Sequence, residues 1–357
     1  MNKEWSELNK SFQELIIKKE TFNEGKQKLL ELRKKLFETI MNVKNGFNPK
    51  GYSLIIFPNS KGYDSKTMAY SIYHITRIED IVCNTIINNL EQVFDKNDYQ
   101  KRLNINIKTT GNELNKDEII SFSESINIIE LFNYFEEVYL ESNDYISNLK
   151  YEDIKKKIPQ EKKNYLYASN YVSHNESSIW LIDYWCSKNI LGLLKMPFSR
   201  HWIMHIEAFL RIKNEIIRIE KKKISNRIAV CGFSCNHCFL GEWCSGCRSE
   251  YNCCSYATLF EDHICPNVKC AKEKDLEGCY DCPLLEKCEI GFYNKENNDG
   301  NAAKVSARFI HKYGKDSFIK VLNEMHKTYE FYKIQKMIKD SYNGIKILED
   351  YLKNIYI

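Results

Sequence analysis

The stretch MPFSRHWIMHIEAFLRIK, residues 196–213, decides how the rest of the chain is read. It sets His201 and His205 one helical turn apart, so both imidazoles leave the same face. Ala208, Phe209, Ile212 and Ile216 continue that stripe, so the histidines point where the apolar residues point. Two imidazoles turned towards a core can grip a divalent metal once a third ligand arrives from another helix. The plainer reading is two core histidines bonded to backbone or to each other, because a His pair at this spacing is a weak motif alone.

Upstream, everything reads as helix. Residues 5–44 repeat apolar side chains at helical spacing, which predicts one long helix or two in line, with Gly25 a break. A turn-rich segment, 45–65, ends it, and Asp64 or Ser65 can cap the next helix. That helix, KTMAYSIYHITRIEDIVCNTIINNL, puts Tyr70, His74, Ile78 and Ile81 on one stripe, making His74 inward-facing and the candidate third ligand. A third helical region spans roughly 117–149, and the aromatic segment SSIWLIDYW, with Trp180, Tyr184 and Trp185, leads into the His-bearing helix. Four main helices with long connections predict an all-α bundle, whose cofactor sites form between facing helices. EKKKISN, from Glu220, reads as a linker to a different module.

Composition narrows the class. With 357 residues, 43% of them apolar, the chain can bury two cores, and its 14 glycines and 6 prolines suit a helix-rich protein. A net charge of +4 and the lack of a Lys/Arg stripe count against a nucleic-acid partner. No apolar run is long enough for a membrane span, and the polar start MNKEWSELNK has no signal-peptide core. The expectation is a cytoplasmic protein acting on a small molecule, with 14 reduced cysteines available for metal.

Residues about 7–215 resemble the DinB superfamily of four-helix-bundle proteins, bacterial and largely cytoplasmic. The pieces that carry the resemblance are YHITRIEDI around His74, TGNEL at 110–114, and WLIDYWCSKNILGLLKMPFSRHWIMHIEAFLRIK at 180–213. It implies a divalent metal, zinc or nickel, on a histidine of the second helix and the His-x-x-x-His pair of the fourth: His74, His201 and His205. Some resembling proteins are thiol transferases using low-molecular-weight thiols, and one is an isomerase using such a thiol as cofactor. Three imidazoles with an open position are a catalytic pattern. No residue is assigned as general base. Glu79 and Asp80 fall off the His74 face as surface or supporting groups, Arg77 and Arg200 read as solvated, and Cys83 and Cys186 as inert thiols.

From Cys231 to Cys288 the chain places 12 of its 14 cysteines. They run CGFSCNHC (Cys231, Cys235, Cys238), CSGC (Cys244, Cys247), the pair Cys253–Cys254, CPNVKC (Cys265, Cys270), CYDC (Cys279, Cys282) and Cys288. C-x-x-C lets two thiolates share one metal across a tight turn, and three such pairs here are a strong signal. The stretch 229–325, with ARFIHKYGKDSF at 307–318, resembles a cysteine-rich prokaryotic domain of unknown function. That resemblance takes in every cysteine of the set except Cys253 and Cys254 and implies metal without naming a reaction. Zinc is expected, with an iron–sulfur cluster as the alternative. Cysteine-only ligation leaves the partition into sites open, and His237 and His263 fall between ligands.

The expected architecture is thus mainly all-α: a DinB-like bundle over 1–222, a small cysteine-rich metal module over 229–300 and a helical tail over 301–357. The favoured function is a metal-dependent transferase or hydrolase activating a thiol or water against a small electrophile. The alternatives are a non-catalytic metal- or redox-sensing or ligand-binding protein, and an iron–sulfur redox protein. Substrate, oligomeric state and any shared active site are not legible.

Overall fold

Asn2, Thr67, Asn115 and Asn127 each stand one residue ahead of a helix and turn a side-chain oxygen onto its first N–H groups. These donors have no partner within the helix, so short polar side chains mark the starts. Asn115 and Glu118 complete a reciprocal capping box. Thr67, rather than Asp64 or Ser65, caps the helix that carries His74, its Oγ1 accepting from Tyr70 N at 3.0 Å.

The computed structural model describes residues 2–44, 47–223, 228–238, 244, 246–250, 254–260, 262, 264–294, 300–340 and 342–355. Cys253, His263 and residues 224–227 of the expected linker lie outside them. The chain divides into two compact units, Met1–Lys44 with Pro49–Glu215, and Asn45–Asn48 with Ile216–Ile357. Both are helical, and the described residues form isolated bridges (Lys157 with Asn189, Ile228 with Ser234) but no sheet. None of the described helices is long and apolar enough to cross a membrane.

In the first unit the principal helices are α1 (Lys3–Leu15), α2 (Phe22–Lys44), α3 (Met68–Asp80), α4 (Lys116–Ser125), α5 (Ile128–Asn148), α6 (Glu176–Cys186) and α7 (His201–Lys223), the last of which runs past the unit boundary at Glu215. α1 and α2 are not in line. They fold back on each other, and Gly25 packs against the end of α1: a Cβ there would stand 2.4 Å from Ile16 N. The break falls between Leu15 and Phe22, and Gly25 is a packing glycine inside α2. α3 continues as a π-helix, Ile81–Asn88, and a second π-helical segment, Met196–Arg200, runs directly into α7. Such segments are rare and frequently lie at functional sites.

Both α2 and α3 pack on α5. Trp202 of α7 is fully buried, its ring 5.0 Å from Phe135 of α5. Arg33 of α2 lies 4.8 Å over the same indole and makes a two-pronged pair with Glu79, at 2.7 and 2.9 Å. Asp80 accepts from Tyr134 Oη at 2.7 Å and from the N–H groups of Val93 and Phe94, with Arg77 3.5 Å away. Arg77, Glu79 and Asp80 are therefore not solvated or surface groups. All three are fully buried, because each finds enough partners to replace its water. Arg200, in contrast, is exposed.

The second unit contains α8 (Pro266–Glu273), α9 (Gly300–His326), α10 (Phe331–Met337) and α11 (Asn343–Ile355). α9 bends at Gly314, whose φ of 81° is open to glycine and strained for other residues. Buried Cys231, Cys265 and Cys279 share one core with Phe309, Phe318, Phe331 and Leu348. The tail thus supplies apolar side chains that the cysteine-rich stretch lacks. Of its other aromatics, Tyr329 packs against this core and Tyr332 is exposed.

Candidate metal centre

The site starts from a ladder between α3 and the loop that carries TGNEL. Four successive carbonyls, Lys108 to Gly111, each accept a hydrogen bond from α3. The donors are Arg77 Nε (2.9 Å), Tyr73 Oη (2.8 Å), His74 Nδ1 (2.9 Å) and Tyr70 Oη (3.1 Å). The loop's shape depends on Gly111, with φ of 77°, and a Cβ there would meet the Tyr70 ring at 3.0 Å. Tyr70 in turn stacks on the His74 ring at 5.5 Å.

This fixes the chemistry of His74. A carbonyl only accepts, so Nδ1 must carry the proton and Nε2 presents its lone pair. That lone pair meets α7: His201 Nε2 lies 3.2 Å away, and the His205 ring centroid 4.7 Å from the His74 ring. The three histidines offer ring nitrogens all within 4.8 Å of one another, and among the described residues this is the only such group of three. Nitrogens at about 2.0–2.1 Å from a tetrahedral zinc lie about 3.3–3.4 Å apart, close to the His74–His201 spacing.

Burial keeps the rings neutral, as ligands must be. His74 and His201 are buried and His205 half-buried, so the rim of the site lies on the His205 side. Desolvation lowers His74 from its ordinary 6.5 to about 4, against the opposing hydrogen bond to Thr110. It holds His201 and His205 well below 6.5, with the neighbouring histidines and Lys66 adding to the effect. Among the described atoms, Nδ1 of His201 and Nδ1 of His205 are buried without a hydrogen-bond partner. Three converging, mostly buried imidazoles with unsatisfied ring nitrogens fit a metal better than a packed core.

Lys66 is the group that sequence reasoning missed. It is half-buried, burial lowers its ammonium, and its charge acts on all three rings. The signal was available, since Lys66, Tyr70 and His74 recur every fourth residue. Trp185 is buried in the core with Ile78 and Val82, whereas Trp180 is half-exposed with its indole bonded to Ser177 O. Burial raises Cys83 well above its ordinary value and Cys186 to about 11, the state of unreactive thiols.

In the second unit no disulfide joins any described cysteine. Cys231, Cys265 and Cys279 are buried, and Cys235, Cys238, Cys244, Cys247, Cys270, Cys282 and Cys288 are half-buried. Cys231 lies within electrostatic reach of Cys235, Cys247 and Cys265, and Cys279 within reach of Cys270 and Cys288. Cys254, left out by the resemblance, hydrogen-bonds Cys244. Backbone N–H groups of Val230 and Gly246 point at Cys247 Sγ and Cys244 Sγ, each at 3.2 Å. Among the described residues, however, no three sulfurs gather as tightly as the histidine nitrogens. His237 is engaged at both nitrogens, by Ser234 Oγ at 2.7 Å and Asn323 Oδ1 at 2.8 Å, which leaves it no lone pair for a metal here.

No family model, curated protein or solved structure matches this chain.

Proposed function

We propose that this chain is a metal-dependent enzyme of the DinB-like kind, a thiol transferase or hydrolase acting on a small electrophile. The observation that carries it is the meeting of three neutral imidazoles from α3 and α7, ring nitrogens within 4.8 Å of one another. In this reading α2, α3, α5 and α7 are the four helices of the bundle within residues 1–222. A divalent ion, zinc or nickel, held by His74, His201 and His205 with one position open, supplies the Lewis acidity that activates a water or a low-molecular-weight thiol.

The protein's own part is positioning. Thr110 O fixes the tautomer and plane of His74. Burial keeps the three rings unprotonated. Access lies on the side of His205, the least buried of the three. Lys66, just ahead of α3 and within electrostatic reach of the rings, holds an anionic group of substrate or thiol. In the cysteine-rich module, 229–300, the ten cysteines from Cys231 to Cys288 outside the 253–254 pair hold thiolate-bound metal, and 301–357 form its helical tail.

Elemental analysis of the full chain tests this. His201→Ala should remove one divalent ion per chain and leave the thiolate-bound metal in place. Simultaneous loss of both would sink the picture of independent sites, and a wild-type chain without metal at the triad would end the enzyme reading. Lys66→Met should retain the ion yet slow thiol transfer or hydrolysis about tenfold, the worth of one charge-assisted contact of ~1.5 kcal/mol.

A further inference from the structure

The last four cysteines of the cysteine-rich stretch face one hollow. Cys270 on α8, the C-x-x-C pair Cys279 and Cys282, and Cys288 all line a cavity of about 370 Å³. Leu276, Leu285 and Ile290 give it apolar walls, and Lys274, Lys287 and Glu289 border it.

The chain is wound to place these thiols. Cys282, Leu285 and Cys288 each donate an N–H three residues back, at 3.1, 3.1 and 3.2 Å, so tight turns follow one another round the hollow. Asn267 closes the far side, accepting from Phe292 N at 2.8 Å and donating to Ile290 O at 3.1 Å and towards Cys279 Sγ at 3.7 Å. Gly291, with φ of 57°, makes this closure feasible, since a Cβ there would stand 2.2 Å from Asn267 Oδ1.

Spacing separates two kinds of occupant. A four-thiolate zinc ion has sulfurs about 3.8 Å apart, because Zn–S bonds of about 2.3 Å point to the corners of a tetrahedron. Here the four thiols line the wall of a cavity instead of closing on one point, and among the described residues they do not form a group close enough to share one ion. An iron–sulfur cluster sets an inorganic core of iron and sulfide between its cysteine ligands and holds them apart. We propose that Cys270, Cys279, Cys282 and Cys288 hold a four-iron, four-sulfide cluster in this cavity. The inference rests on the reading of the stretch as a thiolate metal module and adds which cysteines act together and on what. Lys274 and Lys287 offset the negative charge of four thiolates, and the apolar walls keep water from the sulfide.

The test is anaerobic reconstitution of the full chain with ferric iron, excess dithiothreitol as reductant and sulfide, followed by desalting, iron and sulfide analysis and a visible spectrum. The expected result is about four iron and four sulfide per chain with a broad brown absorption. Cys282→Ser and Cys288→Ser should each lose most of this iron while circular dichroism keeps its helical signal, and Cys254→Ser should retain it. Lys274→Glu, which removes no ligand, should keep the cluster and lower its reduction potential. Tight zinc with no retained iron or sulfide overturns the cluster and sustains the module. Binding neither overturns both. A cluster surviving Cys282→Ser and Cys288→Ser but lost in Cys247→Ser overturns the assignment of ligands.

Discussion

Protonating one ring of the triad would place a cation beside two other imidazoles and Lys66, out of reach of water. The unfolded chain has no such obstacle and protonates its histidines near 6.5, whereas folded His74 resists until about 4. Between those values the unfolded state binds more protons, so stability rises with pH across the window. It is present in full above about pH 6.5 and lost as pH falls towards about 4. The urea midpoint of metal-free protein should therefore drop between about pH 7 and pH 5, and His74→Gln should flatten that slope. At this scale the sequence was partly legible. Period alone aligned His201 with His205, and an apolar stripe turned His74 inward. What aims His74 is the carbonyl of Thr110, and backbone acceptors have no letter of their own. Lys66 was overlooked because it opens the helix as read, and a lysine at a helix start looks solvated, whereas the helix begins at Met68 behind the Thr67 cap.

Between elements, the strongest fastening is the Arg33 guanidinium. It joins α2 to Glu79 of α3, to Ser142 and Asn143 of α5 and to the carbonyl of Phe198 ahead of α7. Arg33→Met leaves a buried carboxylate without its cation and should cost about 3–5 kcal/mol, measured by denaturant unfolding. Adding Glu79→Leu should recover part of that loss, since two apolar side chains of similar volume replace a desolvated pair at little cost. A double variant no better than the single would mean that Arg33 stabilises mainly through its stacking on Trp202. Helix identity was legible here through apolar period, whereas the cap ahead of α3 was read at Asp64 or Ser65 and stands at Thr67. The α1–α2 turn was not, because residues 16–21 carry a pattern compatible with a continued helix, and only the contact of Gly25 with Ile16 decides it. Nor did periodicity flag the two π-helical segments, each too short to shift the pattern. Arg77, Glu79 and Asp80 looked solvated because charge is visible in a sequence and its partners are not.

Across the whole molecule the two proposed metal sites fall on separate compact units, one offering imidazole nitrogens and the other thiols. Composition and C-x-x-C spacing marked the cysteine-rich stretch as the candidate for the second. They left its ligands unsorted, because Cys270 and Cys288 reach the hollow of Cys279 and Cys282 through turns that only the folded chain defines. A chelator should resolve the two in time. Half-buried Cys282 and Cys288 border an open cavity, whereas His74 and His201 are 4% and 9% exposed. Although a small molecule would reach the ion past His205, His74 and His201 can release it no faster than the surrounding helices part. Its escape is then a clock for local opening. The release rate should level off as chelator concentration rises, and should climb with mild denaturant that eases α3 away from its neighbours. Loading should obey the same gate, so the triad fills most readily while the chain is still folding.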